Sequence, residues 1–150
     1  MHSEESASLC KAIGLTSKLL GIYINDNLQI RGIKLTHNQF VVLKILSVKD
    51  GICQNELAFI TERDKTSLTR LISTLESKGM VKRTPAKDDK RKKIIHITDT
   101  GINTLNEAWP LMKKLEEELS QDVNSEDLKV LLSVLSKIQA NILSLEPVIE

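Results

Sequence analysis

Between Gln54 and Thr98 the sequence changes its repeat twice, and the order of the changes leaves few folds open. Gln54 to Ile60 reads as a short helix, with Leu57 and Ile60 apolar and Glu56 in its first turn. After the connection Thr61-Glu62-Arg63, Asp64 is placed to cap the helix KTSLTRLISTLESK, which Gly79 ends. Leu68, Leu71, Ile72 and Leu75 fall at i, i+3, i+4 and i+7, the spacing of one buried helical face. Two β-like runs follow, Met80 to Thr84 and Lys93 to Thr98, joined by a polar loop that contains Pro85. Two helices on a short connection, then a hairpin, is the order of a winged helix-turn-helix.

The flanks read as helices. Residues 7–32 carry Leu9, Ile13, Leu20, Ile24 and Leu28 on one stripe. Thr36 caps a helix to Val48 that turns Phe40, Leu43 and Leu46 inward, and Asp50-Gly51 marks a turn. Thr98 or Asp99 caps a helix to about Leu119, with apolar positions Ile102, Leu105, Trp109, Met112, Leu115 and Leu119. Pro110 lies inside it and should kink it, because proline removes a backbone hydrogen bond and crowds the preceding turn. Ser125 is expected to cap the last helix, with Glu126 and Asp127 favourable for its dipole. In that helix Leu128, Leu131, Leu135, Ile138, Ile142 and Leu145 recur at 3, 4, 3, 4, 3, which is an a/d seam, and Leu132, Val134 and Leu143 widen it. The fold expected is mainly α with a small β-hairpin wing. Residues 35–100 would form the winged helix-turn-helix DNA-binding region, and residues 1–34 and 101–150 a helical dimerisation region.

Charge divides along the chain. Residues 1–100 carry 17 basic and 11 acidic side chains, and residues 101–150 carry 4 and 9. The basic part is suited to a polyanion, the acidic part to solvent or to holding the protein together. The basic charge peaks at Lys87 to Lys93, where five basic residues enclose Asp88 and Asp89. No run of 18 apolar residues exists, so no membrane partner is expected, and the polar, acidic start is unlike a signal peptide. A cytoplasmic protein is the expectation, with Cys10 and Cys53 as free thiols.

Double-stranded DNA is the partner this order suits. An α-helix fits the major groove, where side chains that hydrogen-bond can read base edges. Lys65, Thr66, Ser67, Thr69, Arg70 and Ser73 supply such groups, and Gln54 could touch a phosphate or simply cap its helix. The wing tip, with Lys87, Asp89, Lys90, Arg91 and Lys92, can reach along the backbone to a minor groove, whose negative potential attracts arginine. Asp89, two residues before Arg91, could hold the guanidinium in one orientation and lower the entropy lost on insertion.

The segment ELAFITERDKTSLTRLISTLESKGMVKRTPAKDDKRKKIIHITDTG resembles the winged helix of the MarR family of bacterial transcriptional regulators. Asp89-Lys90-Arg91 matches the Asp-x-Arg of that family's wing, and Ile97-Thr98 stands where it has Leu-Thr before a glycine, here Gly101. Asp64-Lys65-Thr66-Ser67-Leu68-Thr69-Arg70 resembles its recognition helix, and LTHNQFVVLKIL its second helix; the likeness spans about Leu35 to Gly101. The resemblance implies an obligate homodimer of triangular shape joined through its terminal helices. Leu9, Ile13, Leu128, Leu131, Leu135, Ile138, Ile142 and Leu145 would then line the interface. It also implies repression or activation of nearby genes, released by a small, often phenolic, effector or by cysteine oxidation. It names no cofactor.

Other residues point less far. Cys10 sits where some relatives of this kind sense oxidants, but an ordinary helix position suits it better. Cys53 is expected in the core. His37 and His96 show no metal-ligand spacing, and Trp109 and Tyr23 could line a ligand cavity but more often pack in a core. Glu116, Glu117 and Glu118 read as a solvated stripe, and no enzyme motif is present. The alternative to a DNA regulator is a winged helix whose basic wing docks an acidic protein.

Overall fold

The computed structural model describes residues 2–61 and 63–145, with side chains from residue 8 onward, so Glu62 of the expected inter-helix connection lies outside it. Helix α1 spans His2–Ile30, α2 His37–Val48, α3 Gln54–Ile60, α4 Lys65–Ser77, α5 Asp99–Leu119 and α6 Ser125–Ser144. The strands are β1 Ile52–Cys53, β2 Val81–Pro85 and β3 Lys93–Ile97. They form one antiparallel sheet in the order β1-β3-β2, with Ile52 opposite Ile95 and Arg83 opposite Ile95 on the other side. The chain divides into two compact units, Met1–Leu115 and Glu116–Glu150.

The first unit has one core. Leu28, Leu43, Leu46, Leu57, Leu68, Ile72, Leu75 and Ile95 are wholly covered. Each such side chain contributes roughly 1.5–3 kcal/mol by leaving water. Ile24 joins from α1, and Leu105, Ala108, Leu111 and Leu115 from α5. The caps are local. Thr36 and Gln39 bond reciprocally in a capping box at the start of α2. Asp64 Oδ1 accepts from Ser67 N at 2.7 Å, and Gly79 takes the left-handed conformation that ends α4. Gly101 is required by packing, because a Cβ there would collide with the Met80 carbonyl and Ile97.

Several expectations change. β1 was not foreseen: two residues have no readable alternation, and they become a strand only because β3 offers an edge. Cys53, expected in the core, is half-buried there. Pro85 belongs to β2 instead of the tip, where a residue without an N–H is tolerated on an edge strand. The last helix is capped by Asn124, not Ser125, because Asn124 has the extended backbone and its Oδ1 accepts from Asp127 N at 2.8 Å. α5 runs through Pro110 to Leu119 as expected, but its inner face is Leu105, Ala108, Leu111 and Leu115, while Ile102, Trp109 and Leu119 are exposed. Trp109 packs tilted on Phe40, centroids 6.1 Å apart, beneath Lys44 Nζ at 4.9 Å. Leu9 and Ile13 are exposed on α1, whose buried stripe begins only near Leu20. In the second unit α6 buries no residue. Leu135 and Ile138 are half-buried, and Leu128, Leu131, Ile142 and the C-cap Leu145 are exposed.

Candidate nucleic-acid interface

Helices α3 and α4 are joined through side chains as well as core. Gln54 Nε2 donates to Thr69 Oγ1 at 3.0 Å, and Thr69 in turn donates to Lys65 O at 2.7 Å. Gln54 Oε1 is buried without a partner among the described residues, so this side chain braces the two helices and leaves one acceptor unsatisfied. Arg63 Nη1 donates to Ser67 Oγ at 3.0 Å, fixing the first turn of α4. Neither brace was anticipated: Arg63 carried no pattern, and the Gln54–Thr69 contact spans 15 residues.

The outward face of α4 is polar and open. Lys65, Thr66 and Arg70 are exposed, while Ser67 is half-buried. Thr66, Ser67, Arg70 and Thr74 line an open groove of about 470 Å³ together with Thr36 and Gln39 from the start of α2. Ser73 is exposed too, but its hydroxyl accepts from Arg83 Nη2 at 2.9 Å. At the C-terminal end of α4, Lys78 Nζ donates to Lys34 O and to the buried Gln39 Oε1, both at 3.0 Å, and so ties the helix to the start of α2.

The wing tip is a folded turn. Asp89 O accepts from Lys92 N at 3.0 Å, and Ala86 N donates to Lys92 O at 2.9 Å. Asp89 Oδ1 accepts from Arg91 N at 3.0 Å and lies 3.4 Å from Arg91 Nε. The aspartate thus sets both the backbone of the turn and the root of the guanidinium. The Arg91 side chain is 94% exposed, and Lys87, Lys90 and Lys92 are exposed around it. The expected pairing of Asp89 with Arg91 is present.

Behind the tip, Asp50 ties the α2–β1 turn to β3. Its carboxylate accepts from Ile97 N at 2.8 Å and lies 3.3 Å from His96 Nδ1. Partial burial pushes the Asp50 carboxyl up, but bonds from the Ile97 amide, the His96 ring and the Gly51 amide outweigh it and hold the group below its ordinary value. Burial holds the His37 imidazole below its ordinary value. Among the described residues no cluster of three His, Cys, Asp or Glu could hold a metal, and no helix is long and apolar enough to cross a membrane. Cys10 is exposed on α1 and Tyr23 packs against the core.

A helix-turn-helix whose second helix offers an open polar face, flanked by a basic hairpin, defines the winged helix-turn-helix class of DNA-binding proteins. Known proteins agree. Residues 35–93 match the model of the MarR family. The uncharacterized HTH-type transcriptional regulator YdgJ of Bacillus subtilis is 28% identical over 112 residues, 75% of this chain and 68% of its own. A mutant MarR from E. coli in complex with operator DNA superposes with a TM-score of 0.81 at 26% identity, covering 89% of this chain and 95% of that one. The transcriptional regulator BldR from Sulfolobus solfataricus gives 0.82 at 26% identity, covering 94% and 99%. Over residues 35–93 the chain is thus similar to the MarR family, and it has the winged helix-turn-helix fold of these transcriptional regulators.

Proposed function

We propose that the protein is a homodimeric, cytoplasmic repressor that reads an inverted-repeat operator and is released by a small aromatic effector or an oxidant. The observation that carries the DNA-reading mode is the pre-set Arg91. It is almost wholly exposed, its root is bonded to Asp89, and it stands on a tip where the surrounding cations are exposed. An arginine already oriented loses less entropy on entering a narrow minor groove. Arg70, with Lys65 and Thr66, would read the major groove, while Lys87, Lys90 and Lys92 meet phosphates. Gln54, Thr69 and Ser73 would serve chiefly to hold the reading helix, since their side chains are already engaged inside the protein.

Dimerisation is supported by the apolar residues left open on the terminal helices. Leu9, Ile13, Leu15, Leu19 and Ile22 are exposed on α1, and Leu128, Leu131, Leu132 and Ile142 on α6. Exposed apolar surface of this extent marks an interaction site. In this reading residues 1–34 and 101–150 form the dimerisation region around a DNA-binding region of residues 35–100. Selection of bound DNA from a random pool tests the proposal. The expected product is a palindrome with half-sites about one helical turn apart, roughly 10 base pairs. Release from it by aromatic acids or by peroxide would identify the effector class. Enrichment of no sequence, with salt-insensitive binding to an acidic protein instead, would overturn it.

A further inference from the structure

Seven basic residues lie between Lys82 and Lys93, and one of them, half-buried, is turned back onto the protein's own surface. Arg83 projects from β2 onto α4. Its Nη2 donates to Ser73 Oγ at 2.9 Å and to Glu76 Oε1 at 3.0 Å, and its Nε lies 3.5 Å from Glu76 Oε2. The Arg83 backbone N–H donates to the same Oε2 at 3.2 Å. Only 23% of the arginine side chain is exposed. Because β2 lies at the edge of the sheet, Glu76 also covers an amide that would otherwise face outward. A single exposed ion pair holds little, but a two-point pair joined by a backbone amide and a hydroxyl has a defined geometry.

These contacts link the helix that presents Arg70 to the strand that leads to the tip carrying Arg91. Glu76 is an acid beside a surface that must approach a polyanion, so its charge opposes binding and calls for another reason. We propose that Arg83, Glu76 and Ser73 form a strut that sets the wing against the recognition helix, so that helix and tip enter the DNA in register, with Glu76 as a positioning residue for operator recognition. The inference rests on the DNA-reading mode proposed above and assigns it three residues that do not themselves read DNA.

Charge and positioning predict opposite signs for one substitution, which makes the test sharp. The full-length Glu76→Ala variant is compared with the wild type on the selected operator and on unrelated DNA, with circular dichroism to show that it is folded. If Glu76 were merely an exposed acid, removing it would tighten binding to both DNAs. A strut predicts that operator affinity falls about tenfold, the size of one lost base contact, while affinity for unrelated DNA holds or rises. Ser73→Ala should act in the same direction and less, and Glu76→Gln, which keeps an acceptor, should fall between. Arg91→Ala should cost less in the Glu76→Ala background than in the wild type, because the tip is already out of register. Without DNA, the Arg83 amide should exchange its hydrogen faster in Glu76→Ala. Operator binding as tight as wild type or tighter, with the Arg91→Ala loss unchanged, would overturn the strut. A wild type without operator preference would instead overturn the DNA-reading mode and the strut's purpose together, and the two failures are told apart by the wild type alone.

Discussion

Helices α4 and α6 carry the same kind of apolar repeat and end in opposite surroundings. In α4 Leu68, Ile72 and Leu75 are wholly covered, because α2, α3 and β2 pack on that face within the same unit. In α6 Leu128, Leu131 and Ile142 stand open, and among the described residues the unit to which it belongs offers, besides α6, the end of α5 and one turn. A period of 3.6 residues states which face of a helix is apolar and nothing about what covers it. The covered repeat is core. The open one, in our proposal, is half of an interface that the second copy completes.

The comparison breaks most visibly in α6. Leu135→Glu combined with Ile138→Glu should reduce the protein to a monomer by light scattering and remove operator binding, since buried charge at an apolar interface is strongly unfavourable. A double variant that remains dimeric would show that the open repeat serves something else. The next effect lies in α4. Leu68→Ala should lower unfolding stability by about 2–5 kcal/mol in denaturant titration. Leu131→Ala, made in the monomeric background, should stay within about 0.5 kcal/mol. Equal losses at the two sites would erase the distinction between core and interface.

Smaller effects sharpen the picture on the DNA side. Arg70→Ala should cost on the order of 1–3 kcal/mol of operator affinity and relax one position per half-site. Arg91→Ala should cost about 1 kcal/mol more on A·T-rich than on G·C-rich flanks, whereas Lys92→Ala should lower affinity alike on both and reduce the salt slope by about 1. Asp89→Ala should follow Arg91→Ala at a lower level. Identical behaviour of Arg91→Ala and Lys92→Ala would reduce the tip to a patch of charge.

The smallest effect is one of pH. The hydrogen bond from Arg83 holds the Glu76 carboxyl below its ordinary value of 4.5, against a slight upward push from burial. A carboxyl depressed on folding contributes stability above its unfolded value, and that contribution is lost as pH falls through the folded one. Thermal unfolding temperatures of the wild type and Glu76→Gln should therefore differ at neutral pH and converge below about pH 4.5.

The order of elements was legible because its signals are local. The caps at Thr36 and Asp64, the stop at Gly79 and the Asp89–Arg91 turn each involve residues no more than four apart, so composition and spacing carry them directly. The cap at Asn124 was displaced by one residue because Asn and Ser are both good caps, and only the backbone angles choose between them. The exposed basic tip and the polar face of α4 were legible for the same reason.

What the tertiary structure alone decided is which polar groups remain open. Arg83 and Arg91 are the same residue eight positions apart, and Ser73 and Thr66 are equally able to donate. Nothing local says that Glu76 and Ser73 take up Arg83, that Gln54 takes up Thr69, or that β3 converts Ile52-Cys53 into a strand. Those pairings join residues 7 to 43 apart in the chain, and their partners are set by how the core brings helix and sheet together. A local repeat specifies a surface, whereas the packed chain specifies which part of that surface is left over for DNA.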